Sequence, residues 1–155
     1  MRFAAIGLGM VCLAASVLCA AEGGKSFPKD VKDVLDNATE LDVFLLSEEA
    51  PGNESMQGCK VLGKTTVKDA ATCKRLLNAV EDDIENPLRQ ANCFSPAYGI
   101  RAQHKDQTVE LVICYKCRGL EYHIGGKGSP TIATNKFAMK VMDEILREAK
   151  VLPPK

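Results

Sequence analysis

The chain has 155 residues, 46% of them hydrophobic, and its 20 basic and 20 acidic side chains cancel to a formal charge of zero. No run of like charge marks a nucleic-acid groove or a docking patch for a strongly charged partner. Tryptophan is absent and aromatics make up only 5%, so stacking platforms for sugars or bases are not expected, and the length suits one domain with a core of its own.

Residues 1–21 read as a secretory signal peptide. Arg2 supplies the positive start, residues 3–18 are almost wholly apolar (Ile6, Leu8, Met10, Val11, Leu13, Val17, Leu18), and Cys19-Ala20-Ala21 offers small residues before Glu22. The apolar run is short for a membrane span and no second one follows, so no transmembrane segment is expected after cleavage between Ala20 and Glu22. The expected destination is the periplasm or the medium. Lipid attachment at Cys19 competes, although Val17 and Leu18 are bulky for such a site. Residues 22–27 read as a flexible leader, 28–150 as a single domain and 151–155 as a tail stopped by Pro153 and Pro154.

Residues 29–38 carry Val31, Val34 and Leu35 at helical spacing after Pro28. Residues 40–47 place Leu41, Val43 and Leu45 on one side of a strand, and 48–57, with Pro51 and Gly52, read as a loop. A second strand covers 59–67. Asp69 is a suitable N-cap for a helix to Ile84 with Cys73, Leu76, Leu77, Val80 and Ile84 facing a core. After a loop at 85–96 come strands 98–104, 108–117 and 120–124, joined by turns short enough for hairpins. Gly125 and Gly126 open the stretch that ends this meander, and Thr134 opens a last helix with Phe137, Val141, Ile145 and Ala149 on one side. The order predicts an α+β domain: a single antiparallel sheet of about five strands, ending in a three-stranded meander, with helices packed on one face.

Gly58 to Thr65 satisfies G-x-x-x-x-G-K-T letter for letter. That chemistry needs a glycine-rich turn leading from a buried strand into a helix, whereas Lys60-Val61-Leu62 reads as strand, so the match is attributed to chance. Cys114-Tyr115-Lys116-Cys117 has the spacing of thiol oxidoreductases and zinc knuckles. In an extended strand its two Cα atoms would stand about 10 Å apart, beyond the reach of a disulfide, unless the strand stops early and turns.

Taking Arg118-Gly119 as a two-residue loop sets Cys117 opposite Leu120, Tyr115 opposite Tyr122, Ile113 opposite Ile124, Lys116 opposite Glu121 and Cys114 opposite His123. A turn at 105–107 sets Cys114 opposite Tyr98. Val109, Leu111, Ile113, Tyr115 and Cys117 then share a buried face, covered by Phe137, Val141 and Ile145. Five cysteines remain after cleavage removes Cys12 and Cys19, and an oxidising compartment favours pairing them. The expected bridges are Cys93–Cys117 and Cys59–Cys73, with Cys114 as the odd thiol beside His123. The alternative is a zinc site from Cys93, Cys114, Cys117 and either His123 or His104. Asn37-Ala38-Thr39 and Asn53-Glu54-Ser55 fit the glycosylation pattern, and Asp82 and Asp83 read as a solvated helix face.

Cys93-Phe94-Ser95-Pro96, Gly99-Ile100-Arg101 and the run from Thr108 through Val112-Ile113-Cys114-Tyr115 to Cys117 resemble a group of short exported proteins of planctomycete-like bacteria. That group shows C-F-x-P-R-H-G-I-R followed by V-D-x-V-I-C-F-x-C. Val61-Leu62-Gly63-Lys64-Thr65 and Lys68-Asp69-Ala70-Ala71-Thr72 are similar as well. The chain departs at Ala97 and Tyr98, where the group carries Arg-His, so a basic or histidine-dependent site there would be missing. The resemblance implies a bacterial exported protein and no particular mechanism. The residues give no catalytic constellation and no cofactor site, with zinc the exception just weighed. The expected function is non-enzymatic: partner binding or a structural role in the envelope, toward a protein or envelope partner and not nucleic acid. A metal-binding or thiol-active protein built on Cys93, Cys114, Cys117 and His123 is the alternative.

Overall fold

The computed structural model describes residues 26–49 and 52–153; residues 1–21, read from the sequence as a signal peptide with Cys12 and Cys19, lie outside them. Helix α1 (Lys29–Asn37) leads into strand β1 (Leu41–Ser47), followed by β2 (Ser55–Met56) and β3 (Cys59–Val67). Helix α2 (Ala70–Glu85) crosses to β4 (Tyr98–His104), β5 (Gln107–Cys114) and β6 (Gly119–Ile124). Then come β7 (Lys127–Gly128), β8 (Ile132–Ala133) and helix α3 (Phe137–Glu148). The architecture is α+β with a single antiparallel sheet in the order β2-β3-β1-β4-β5-β6-β7, and β8 also on β6. Five long strands match the expected ones. The three additional strands are two residues each: β2 inside the expected loop, and β7 and β8 on the outer edge of β6. Segments this short lack a periodic signal.

β1 lies between β3 and β4 and is buried on both faces. Leu41 and Val43 join the large cluster that holds Val31 and Val34 of α1, Leu76 and Val80 of α2, Met142 and Leu146 of α3, and Ile100, Leu111 and Ile113 of the sheet. Phe44 and Leu46 point the other way and form a second, smaller cluster with Met56 and Val112, flanked by Cys59, Val61 and Phe94. Period-two geometry turns one apolar run into two clusters. Gly99 makes the second possible, because a Cβ there would stand 2.4 Å from Met56 Sδ. A bulge between Leu45 and Leu46 skips Leu62, which is left 54% exposed.

Several boundaries differ from expectation. Phe27, read with the leader, is buried and packs edge-on to Tyr122. Val151 and Leu152, read as tail, pack on the main core, and their amides donate to Leu146 O. α3 is rotated relative to the expected stripe: Ala138, Met142, Ile145 and Leu146 are buried while Phe137 is 51% exposed. The β4–β5 connection is one residue shorter, with Lys105 at φ 53°, so Tyr98 pairs with Ile113 and not with Cys114.

Asp83 corrects the reading of a solvated carboxylate pair. It is 1% exposed, and its carboxylate accepts from the backbone amides of Phe137 (2.5 Å) and Ala138 (3.3 Å). α3 has no side-chain cap of its own at Lys136, so α2 supplies one. Burial pushes the Asp83 carboxyl above its ordinary range, while the two amides and the Tyr115 hydroxyl beside it act in the opposite direction. At the other end of α2, Asp69 is the expected N-cap and accepts from Thr72 N at 2.7 Å.

Candidate functional site

The strand containing Cys114 stops early. Pairing of β5 with β6 ends at Cys114 opposite Gly119, and Tyr115 to Arg118 form the turn, with Arg118 at φ 58°. The whole hairpin therefore sits four residues from the expected register: Ile113 faces Leu120, Leu111 faces Tyr122, Val112 faces Glu121, and His123 faces Glu110. Cys114 is not beside His123. The turn instead brings Cys114 and Cys117 to a Cα separation of 5.4 Å, where they are joined as a disulfide, and both are fully buried. Tyr115 turns inward against Tyr98 and Met142, and its burial raises the phenol's pKa.

This pairing replaces the expected bridges. Cys59, Cys73 and Cys93 are free thiols. Cys59 borders the small cluster on one face of the sheet, whereas Cys73 sits in the main core on the other and donates to Val67 O at 3.4 Å. The sheet separates them. Burial raises both thiol pKa values, with nearby acids adding to it, Glu48 and Glu121 for Cys59. The proposed zinc ligands are not assembled either: Cys114 and Cys117 bind each other, Cys93 is exposed, and His104 ends β4 opposite Gln107. Among the described residues no group of three or more His, Cys, Asp or Glu is arranged to hold a metal. Gly58 to Thr65 runs through the β2–β3 turn and along β3, with Lys64 Nζ on Glu54 at 2.6 Å, so no helix begins at the lysine.

Two surface clefts are lined by a cysteine. The first is a cleft of about 370 Å³ on the sheet face away from the helices, lined by Glu48, Gln57, Gly58, Cys59, Phe94, Pro96, Val112, Glu121 and His123. His123 forms its wall. Its Nε2 is buried without a hydrogen-bond partner, 4.0 Å from Glu121 Oε2. Gly128 opposite lets the ring lie flat, since a Cβ there would come within 2.8 Å of Cε1. Glu121 also accepts from Thr131 Oγ1 at 2.6 Å. Beyond His123, Glu110 receives Gln57 Nε2 at 2.5 Å and Arg101 Nη2 at 2.7 Å, and the guanidinium lies 5.0 Å over the Phe44 ring. The cleft has an apolar floor and an acidic rim, which equips it to hold an apolar group bearing a cation. Cys59 and Glu121 were absent from the sequence-based site because their meeting depends on the hairpin register.

The second surface is a cleft of about 440 Å³ beside the disulfide turn, lined by Arg89, Gln90, Ala91, Asn92, Lys116, Cys117 and Arg118. It carries three cations and no acid. In comparisons with protein-family models, curated proteins and solved structures, nothing matches this chain.

Proposed function

We propose that this chain is an exported, non-enzymatic domain that acts by binding a protein or envelope partner on the face of the sheet away from the helices. The observation that carries the reading is the 370 Å³ cleft there, with Phe94, Pro96 and Val112 as floor and Glu48 and Glu121 on the rim. Three helices bury one face, and the other keeps a small apolar cluster of its own. Charge complementarity points to a partner segment that offers an apolar side chain next to a lysine or arginine. No cofactor enters this reading. Export is supported by the order of charge, apolar run and small residues at 1–21, and by a disulfide, which suits an oxidising compartment. The resemblance of residues 58–117 to short exported bacterial proteins supports the same compartment.

The test is an array of short peptides in which Leu or Phe is flanked by Lys or Arg, read by calorimetry against the purified mature domain. Micromolar to submillimolar binding is expected, weakened at least tenfold in the Glu48→Lys/Glu121→Lys double variant. Binding equal in wild type and variant, or none across the array, contradicts the proposal.

A further inference from the structure

Three arginines of this chain are matched with acids: Arg75 with Glu144 at 3.0 Å, Arg101 with Glu110 at 2.7 Å and Arg147 with Asp143 at 3.1 Å. The two other arginines among the described residues, Arg89 and Arg118, hold no carboxylate there. Both line the 440 Å³ cleft beside the disulfide turn, together with Lys116, and the rest of its lining supplies no acid. The chain as a whole is neutral, so these cations are a local excess whose mutual repulsion is relieved when an anion enters. The walls that carry them are fixed in advance. The buried Cys114–Cys117 bridge closes the turn that bears Lys116 and Arg118, with Arg118 at φ 58°. Ala91 N donates to Cys117 O and Thr134 N to Arg118 O, each at 3.0 Å, which ties that turn to the segments on either side. Arg118 Nη1 reaches the 86–97 loop and donates to Arg89 O at 3.2 Å. That bond uses one of the guanidinium's several N–H donors and leaves others for a ligand.

We propose that this cleft binds a phosphate group borne on a small polar body, with Arg89 and Arg118 donating to its oxygens and Lys116 adding charge. A guanidinium presents a planar fork that matches phosphate, and an ammonium acts beside it as a point charge. A carboxylate would offset a single cation, whereas a phosphate monoester carries about −1.5 to −2 at neutral pH. The cleft falls in the size range of small-ligand sites and leaves room for the group that bears the phosphate. Gln90 and Asn92 line it and Ala91 is its one aliphatic side chain, so a hydroxyl-bearing body such as glycerol or a sugar suits it better than an apolar one. Because the bridge and the backbone hydrogen bonds hold the donors in place, little ordering cost falls on binding. The site shares no lining residue with the cleft at Glu48 and Glu121 and does not depend on it.

The soluble probe is glycerol phosphate, titrated into isotope-labelled, oxidised protein at constant ionic strength and followed by backbone amide shifts. Saturable shifts at residues 89–92 and 116–118 are expected, with a Kd of about 1 mM or below. The Arg89→Gln/Arg118→Gln double variant should bind about tenfold more weakly or worse, and Glu48→Gln should match the wild type. Melting curves of the double variant that overlay the wild type without probe establish that it is folded. A second arm separates the two sources of such a group, using sedimentation with mixed phosphatidylcholine–phosphatidylglycerol vesicles. Co-sedimentation abolished by glycerol phosphate and by the double variant identifies a lipid headgroup, and its absence identifies a soluble phosphate ester. No saturable shift at these amides, or equal affinity in wild type and double variant, overturns the proposal whatever the vesicles show.

Discussion

Asp83 shows how much one residue can depend on tertiary context. Its charge suggests solvent, but on α2 it follows Val80 by three residues and Leu76 by seven, at the edge of the buried face, and it caps α3 from 54 residues away. Asp83→Ala should cost about 2 kcal/mol, combining a lost cap with two buried amides left unpaired. Asp83→Asn, which retains an acceptor, should cost clearly less; equal losses in urea titration would argue against a capping role. Burial raises this carboxyl above its ordinary 3.8, so the native state holds the proton more tightly than the unfolded chain. Stability contributed through Asp83 therefore falls as pH rises from 3.8 through the native value. The wild-type urea midpoint should decline across that window relative to Asp83→Asn, and parallel curves would contradict the shift.

At the scale of elements, the long periodic segments were legible and the connections were not. α2, with Asp69 as cap and Cys73, Leu76, Val80 and Ile84 facing inward, could be read directly. So could the core face of β5 through Val109, Leu111 and Ile113. The β5–β6 turn could not, because Val109 to Cys117 continues a β-favouring composition past the point where pairing stops. The Cys-x-x-Cys spacing was the available signal, since a bridge across three residues demands a turn. That one misplaced turn moved His123 from Cys114 to Glu110 and scattered the predicted site. α3 illustrates a rotation error: four-residue spacing fits both Phe137-Val141-Ile145 and Ala138-Met142-Leu146, and only packing distinguishes them. Leu146→Ala should cost about 2–5 kcal/mol, as core truncations do, whereas Phe137→Ala should stay near 0.5 kcal/mol or below. Reversal of that order in thermal or urea unfolding would place the other face inward. Reducing the short Cys114–Cys117 loop should cost about 2 kcal/mol on the chain-entropy model. The larger loops closed by Cys93–Cys117 and Cys59–Cys73 would each be worth about 3 kcal/mol on that model.

For the whole molecule, the described residues form a sheet with two unlike faces: one buried by three helices with Phe27, Val151 and Leu152, the other bearing a small apolar cluster and a cleft. The cysteines report on that division because they are spread across it. Cys73 lies in the core beneath the helices, Cys59 borders the opposite cluster, and Cys93 is in the connecting loop. Cys114 and Cys117 close the hairpin whose register sets His123 and Glu121 into the cleft. The most direct measurement is a peptide map of the purified protein, acid-quenched, denatured and alkylated without reduction in the absence of added thiol. The account predicts label on Cys59, Cys73 and Cys93, with Cys114 and Cys117 linked to each other. A Cys59–Cys73 link would contradict it, because no such bond can form with the sheet between the two sulfurs.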